Sequence, residues 1–181
     1  MEKKITFVIG GCRSGKSSFA LDQANLAQKG NNQGKMKIFL ATSVPLDSEM
    51  EKRINKHKHE RGNDWHTIEE PVKIHGIINE YSRNASVILV DCLTLWVSNL
   101  LLNSCDDVLL EKAVKELEDS LKSCKCPVFL VSNEVGAGIV PENKIARQFR
   151  DYAGFVNQRV AKTADRVVMT IAGIDVQIKP A

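Results

Sequence analysis

Short apolar runs rich in β-branched residues recur along the chain, at residues 5–9, 36–41, 87–90 and 128–131, and polar or helix-patterned stretches separate them. Strand-length runs alternating with helical stretches predict a parallel β-sheet covered by helices. Near the C-terminus the pattern changes. Residues 167–171 and 176–178 flank Ala172-Gly173-Ile174-Asp175, which predicts a terminal hairpin at an edge of the sheet. The longest helix is expected from about residue 142 to about residue 164. There Ile145, Phe149, Tyr152, Val156 and Val160 recur at steps of four and three behind Pro141, a stripe suited to core or subunit contact. Arg147, Arg150, Asn157 and Arg159 lie off that stripe and read as a solvated face. Residues 93–102 are apolar enough for a packed helix with Trp96 in the core, and the Gly/Asn/Gln-rich stretch 28–34 reads as a surface loop. No repeat or linker interrupts the series, so residues 1–181 are expected to form a single α/β domain.

The first apolar run leads directly into Gly10-Gly11-Cys12-Arg13-Ser14-Gly15-Lys16-Ser17, the spacing G-x-x-x-x-G-K-S of a phosphate-binding loop. Its glycines let backbone N–H groups curl around phosphate oxygens. Lys16 can reach the outer phosphates, and the Ser17 hydroxyl can hold Mg²⁺. The run 87–90 closes on Asp91, the form of an acid that holds Mg²⁺ directly or through water, although a strand-terminal Asp also caps helices. Together these features predict a P-loop protein that binds a nucleoside triphosphate.

Composition narrows this picture. The 43% of apolar residues among 181 suffice for one continuous core. Twenty-five Lys and Arg against 22 Asp and Glu leave a net charge of +3, too mild and dispersed to argue for a nucleic-acid partner. The five cysteines are an odd number at irregular spacing. Cys124-x-Cys126 lacks the two-residue gap of a zinc or thioredoxin motif, so reduced thiols in a cytoplasmic protein are expected. The opening Met-Glu-Lys-Lys passes straight into a strand, and no segment reaches the roughly 18 apolar residues of a membrane span.

Other polar residues also fall near the expected ligand side. Thr42 and Ser43 follow the second strand, where open α/β sheets bind ligands, but turn and cap hydrogen bonding explains them equally well. On the helical pattern that follows, Met50, Ile54, His57 and Arg61 share one stripe. A lone histidine there would be a hydrogen-bonded core residue. With Lys58, His59 and Arg61 beside it, the imidazole also suits a nucleophile next to a held phosphate. Glu134, after the fourth strand, is either an acid/base candidate or an exposed loop carboxylate.

The ordered set of these motifs resembles one family. It comprises the loop 10–17, Ala41-Thr42-Ser43, Asp47-x-Glu49-Met50-x-x-Arg53-Ile54-x-x-His57, Asp91-Cys92-Leu93-Thr94-Leu95-Trp96 and Ser132-Asn133-Glu134-Val135-Gly136. The likeness continues through Ile139-Val140-Pro141-Glu142-Asn143, Ala146-Arg147-x-Phe149-Arg150-Asp151, Gly154-x-Val156-Asn157-Gln158-Arg159 and Ala164-Asp165, covering nearly the whole chain. The family is the bifunctional adenosylcobinamide kinase/adenosylcobinamide-phosphate guanylyltransferase of cobalamin assembly. The resemblance implies a RecA-like P-loop scaffold and two reactions. A nucleoside triphosphate, ATP or GTP, phosphorylates adenosylcobinamide. GTP then guanylylates a histidine, which passes GMP to adenosylcobinamide phosphate. It also implies residue roles: His57 as the nucleophile, Gly10 to Ser17 on the phosphates, and Thr42, Ser43 and Val44 lining the nucleotide site. Lys58, His59, Glu60 and Arg61 would contact the guanylyl group or its phosphates, with Glu69 and Asp91 at nucleotide or metal positions. A homo-oligomer, with a trimer as one form, is implied as well. Cys12 stands where the family pattern more often has a small residue such as Ala. A plain small-molecule kinase without a covalent intermediate is the competing enzyme reading. A GTPase switch is disfavoured, because Asn143-Lys144-Ile145-Ala146 does not supply an Asn-Lys-x-Asp element.

Overall fold

The computed structural model describes residues 4–27, 35–44, 62, 64–103 and 106–180. The expected loop at 28–34 and the segment carrying His57, Lys58, His59, Glu60 and Arg61 lie outside the described residues.

In chain order the elements are β1 (Ile5–Gly10), α1 (Lys16–Ala27), β2 (Met36–Ala41), β3 (Trp65–Glu69), α2 (Ile74–Tyr81), β4 (Ala85–Asp91), α3 (Leu93–Leu102), α4 (Asp107–Ser123), β5 (Val128–Asn133), α5 (Lys144–Thr163), β6 (Arg166–Ile171) and β7 (Ile174–Lys179). The strands form one seven-stranded sheet in the order β3-β2-β4-β5-β1-β6-β7. All neighbouring pairs are parallel except β6 and β7, which form the antiparallel terminal hairpin. This is the α/β architecture anticipated from the apolar runs. β3 is an addition to it: Trp65-His66-Thr67-Ile68-Glu69 is an edge strand with only Trp65 buried, so it lacks an apolar run.

Burial explains why these segments become strands. Phe7, Val8, Ile38, Leu40, the run Val87 to Val90, and Leu130 are almost fully enclosed, as expected of strands covered on both faces. On one face α2 to α5 contribute Ile78, Trp96, Leu117, Leu121, Val156 and Val160 to the larger core. On the other, α1 packs with Ala20 and Ala24, small side chains that let its backbone lie close to the sheet. Trp96 is fully buried, and its indole N–H donates to the Val72 carbonyl at 2.7 Å. Asp106 caps α4 by accepting from the Leu109 N–H at 2.8 Å, and Asn143 caps α5 by accepting from the Ala146 N–H at 3.1 Å.

The stripe on α5 holds at Tyr152, Val156 and Val160, whereas Ile145 at the first turn is 62% exposed. The opposite face is not simply solvated. Asn157 is buried and donates to the Asn133 carbonyl, while Arg159 makes a paired contact with Glu118 of α4 at 2.7 Å through both Nε and Nη2.

Candidate active site at the phosphate loop

The crossing pattern opens a crevice at one end of the sheet. β1 continues into α1 on one face, while its neighbour β5 continues into α5 on the other. The chain therefore diverges beyond the carboxyl ends of β1 and β5, the position at which open α/β sheets take ligands. Gly10 and Asn133 are register partners at that edge, and Gly10 is also paired with Thr170 of β6.

The loop 10–17 turns in this crevice. The Ser14 N–H donates to the Gly11 carbonyl at 3.3 Å, and α1 starts with the Phe19 N–H on the Gly15 carbonyl at 3.0 Å. Arg13 (φ 55°) and Gly15 (φ 95°) take left-handed backbone conformations, of the kind that curl a chain into an anion-binding nest of backbone N–H groups. Lys16 Nζ donates to the Gly11 carbonyl at 3.0 Å, folded back across the loop mouth. Ser17, next in α1, carries its hydroxyl at the helix start. The helix N-terminus and the loop amides together favour a multiply charged phosphate there.

Asp91 ends β4, with β5 between its strand and that of the loop. Cys92, the residue beside Asp91, carries a buried thiol. Burial above all, and the Asp91 carboxylate, push that thiol up to about 11, so Cys92 is an inert neutral group at the edge of the site. Ser17 and Asp91 supply hard oxygen donors of the kind Mg²⁺ takes alongside substrate phosphates. Among the described residues no group of three His, Cys, Asp or Glu side chains forms a metal cage of its own.

Thr42 is fully buried. Its hydroxyl donates to the Cys92 carbonyl at 2.7 Å and accepts from the Cys92 N–H at 2.8 Å, tying the end of β2 to the end of β4. Asn99 adds a bond to the Thr42 carbonyl. Ser43 and Val44 follow at the surface, and Glu69 ends β3, paired in register with Ala41. Glu134 donates its N–H to the Gly10 carbonyl at 3.0 Å and holds the Gly136 N–H with its carboxylate. Thr94 joins the network by hydrogen bonds to Ser132 and to the Asn133 N–H. Cys12 is exposed on the loop, and Arg147 and Arg150 donate to the carbonyls of Pro141, Glu142 and Gly138, bracing the segment after β5.

Two residues at this site have no counterpart in the loop motif: Thr170 and Gly173, both from the terminal hairpin. The Thr170 hydroxyl bonds that of Ser14 at 2.7 Å, and the Gly173 N–H donates to the Ser14 carbonyl at 2.9 Å.

A mostly parallel sheet with this loop between its first strand and first helix defines a P-loop nucleotide-binding protein. The family model of cobinamide kinase/cobinamide phosphate guanyltransferase matches residues 6–178, and the chain belongs to that family. It is 37% identical over 173 residues to the bifunctional adenosylcobalamin biosynthesis protein CobP of Pseudomonas aeruginosa, an alignment covering 95% of each chain. It is 40% identical over 184 residues to the bifunctional adenosylcobalamin biosynthesis protein CobU of Salmonella typhimurium, covering 95% of this chain and 98% of the relative. CobU of Escherichia coli is 38% identical over the same span. Among solved structures, the KaiC-like protein PH0186 of Pyrococcus horikoshii aligns with a TM-score of 0.48 at 14% identity, covering 92% of this chain and 70% of that one.

Proposed function

We propose that this protein phosphorylates the aminopropanol hydroxyl of adenosylcobinamide with a nucleoside triphosphate and then converts the phosphate to adenosylcobinamide-GDP with GTP. One observation carries the reading: family similarity spans residues 6–178 and includes a fully formed phosphate loop. In the first reaction the loop amides and Lys16 hold the β- and γ-phosphates while the substrate hydroxyl attacks the γ-phosphorus and the β–γ bridging bond breaks. In the second, a neutral His57 imidazole attacks the α-phosphorus of GTP. A P–N bond forms, the α–β P–O bond breaks, and pyrophosphate departs with its charge offset by Lys16. The substrate phosphate then displaces the imidazole and takes GMP. Lys58, His59, Glu60 and Arg61 flank His57 as charged and polar contacts for the guanylyl phosphate, and Ser43, Val44 and Glu69 line the nucleotide site, with the buried Thr42 holding the end of β2 behind them. Ser17 and Asp91 would hold Mg²⁺, which when bound neutralises phosphate charge.

Cys12, Cys92, Cys124 and Cys126 are reduced thiols, which suits the cytoplasm. Among the described residues no helix is long and apolar enough to cross a membrane. Exposed Leu102, Val108 and Leu109 around the α3–α4 connection offer apolar surface for a homo-oligomer such as a trimer. Light scattering at working concentration tests that; a monomeric mass would contradict it.

The deciding experiment is the intact mass after incubation with GTP and Mg²⁺, wild type beside His57→Ala. An acid-labile, GMP-sized gain in the wild type alone supports the covalent route. No gain in either, with adenosylcobinamide phosphorylation intact, would reduce the protein to a P-loop kinase without a covalent intermediate.

A further inference from the structure

We propose that Thr170 and the Ala172–Gly173 turn of the terminal hairpin are positioning elements of the phosphate loop, setting the direction of its Gly15 N–H for both transfers. The inference rests on the nucleotide-binding reading of the loop and adds residues outside its motif.

Ser14 is gripped at two points. Ser14, a residue 6% exposed, and Thr170, a residue 2% exposed, meet hydroxyl to hydroxyl at 2.7 Å. Neither hydroxyl can turn to bulk water, so the pair is the partner each requires. The Ser14 carbonyl accepts from the Gly173 N–H at 2.9 Å. In a trans peptide the C=O and the next residue's N–H point in opposite directions. Holding the Ser14 carbonyl outward on the hairpin therefore aims the Gly15 N–H inward, where a phosphate oxygen would sit.

The contact favours glycine on both sides, at Gly15 for space and at Gly173 for backbone conformation. A Cβ on Gly15 would lie 3.3 Å from Gly173 Cα, and Gly173 has a φ of +82°, which side-chain-bearing residues rarely adopt. Ala172, with φ 52°, shares the left-handed turn that brings the Gly173 N–H to the loop. Phosphate-loop geometry thus depends on a strand pair 156 positions along the chain from the residue it grips.

The test is a calorimetric titration of the full-length protein with GDP and Mg²⁺, since GDP carries the phosphates that the loop amides grip. Thr170→Val keeps the shape and deletes the hydroxyl. It should weaken GDP about tenfold, the size expected when a buried hydroxyl loses its partner, and raise the KM for nucleotide in both transfers without changing that for corrinoid. Thr170→Ser should stay within about twofold of wild type. In a Ser14→Ala background, adding Thr170→Val should cost nothing further, because the pair is already broken. That double variant also removes both hydroxyls together, so it remains informative if Thr170→Val alone fails to fold. Equal losses in Thr170→Ser and Thr170→Val, or additive losses in the double variant, would overturn the positioning role. Lys16→Ala separates the two levels. If wild type binds GDP and Lys16→Ala does not, but Thr170→Val matches wild type, only the positioning role falls. If wild type itself does not bind GDP, the nucleotide reading falls with it.

Discussion

A methyl group at position 10 has nowhere to go. A Cβ there would lie 2.5 Å from each of Ser14 Oγ, the Thr170 carbonyl oxygen and Thr170 Oγ1, whereas one on Gly11 would meet nothing within 4 Å. Gly10→Ala is therefore expected to spread β1 from the loop and from β6, costing about 2 kcal/mol or more and abolishing GDP binding, while Gly11→Ala stays near wild-type stability. Thermal midpoints and nucleotide titration of the two variants check this. Thiol reactivity should follow burial in the same way. Cys12 is exposed, while Cys92, pushed up to about 11, and Cys124 and Cys126 are enclosed. Brief maleimide treatment near neutral pH should label Cys12 ahead of those three, and GTP with Mg²⁺ should slow it, as peptide mass mapping would read out. The loop was legible in the sequence because its residues are contiguous and each glycine and lysine has a fixed task. Thr170 and Gly173 were not, because only folding brings them to Ser14 and no local pattern marks a hydroxyl or an N–H as a distant partner.

At the scale of elements, legibility followed burial. Strands enclosed on both faces are continuous apolar runs, so β1, β2, β4 and β5 stand out. The edge strand β3, buried only at Trp65, does not. On α5 the periodicity located the helix, but the roles of its polar residues depend on what lies opposite. Arg159 is an example: its guanidinium, by hydrogen bonding first and charge second, holds the Glu118 carboxyl below its usual 4.5, and the carboxyl is almost enclosed between α4 and α5. A carboxyl lowered in the folded state adds stability above its unfolded value and loses it as pH falls through the folded one. Glu118→Gln should therefore lower stability by about 1–2 kcal/mol at neutral pH, with the gap to wild type closing progressively below about pH 4.5. Urea midpoints across that range measure it; a gap independent of pH would mean that the ionised Glu118–Arg159 pair does not hold α4 to α5.

Over the whole molecule, the site depends on both ends of the chain. β1 sits between β5 and β6, so the phosphate loop is framed by the first strand, the penultimate parallel strand and the terminal hairpin. The Ile5 N–H donates to the Asp165 carboxylate at 2.7 Å and the Asp165 N–H returns a bond to the Ile5 carbonyl at 2.9 Å, locking those segments at the opposite edge as well. The loop can keep its shape only while β1, β6 and β7 stay assembled, so bound nucleotide resists unfolding of the sheet rather than of one loop. Binding confined to the folded state stabilises it by mass action, about 2.7 kcal/mol at a hundredfold excess over Kd. For a domain of this size that corresponds to a rise of about 5–10 °C in Tm. GDP with Mg²⁺ should produce that rise as one cooperative transition in the wild type and none in Lys16→Ala. A shift confined to a separate early transition would instead mean that the hairpin and the loop melt independently of the central strands.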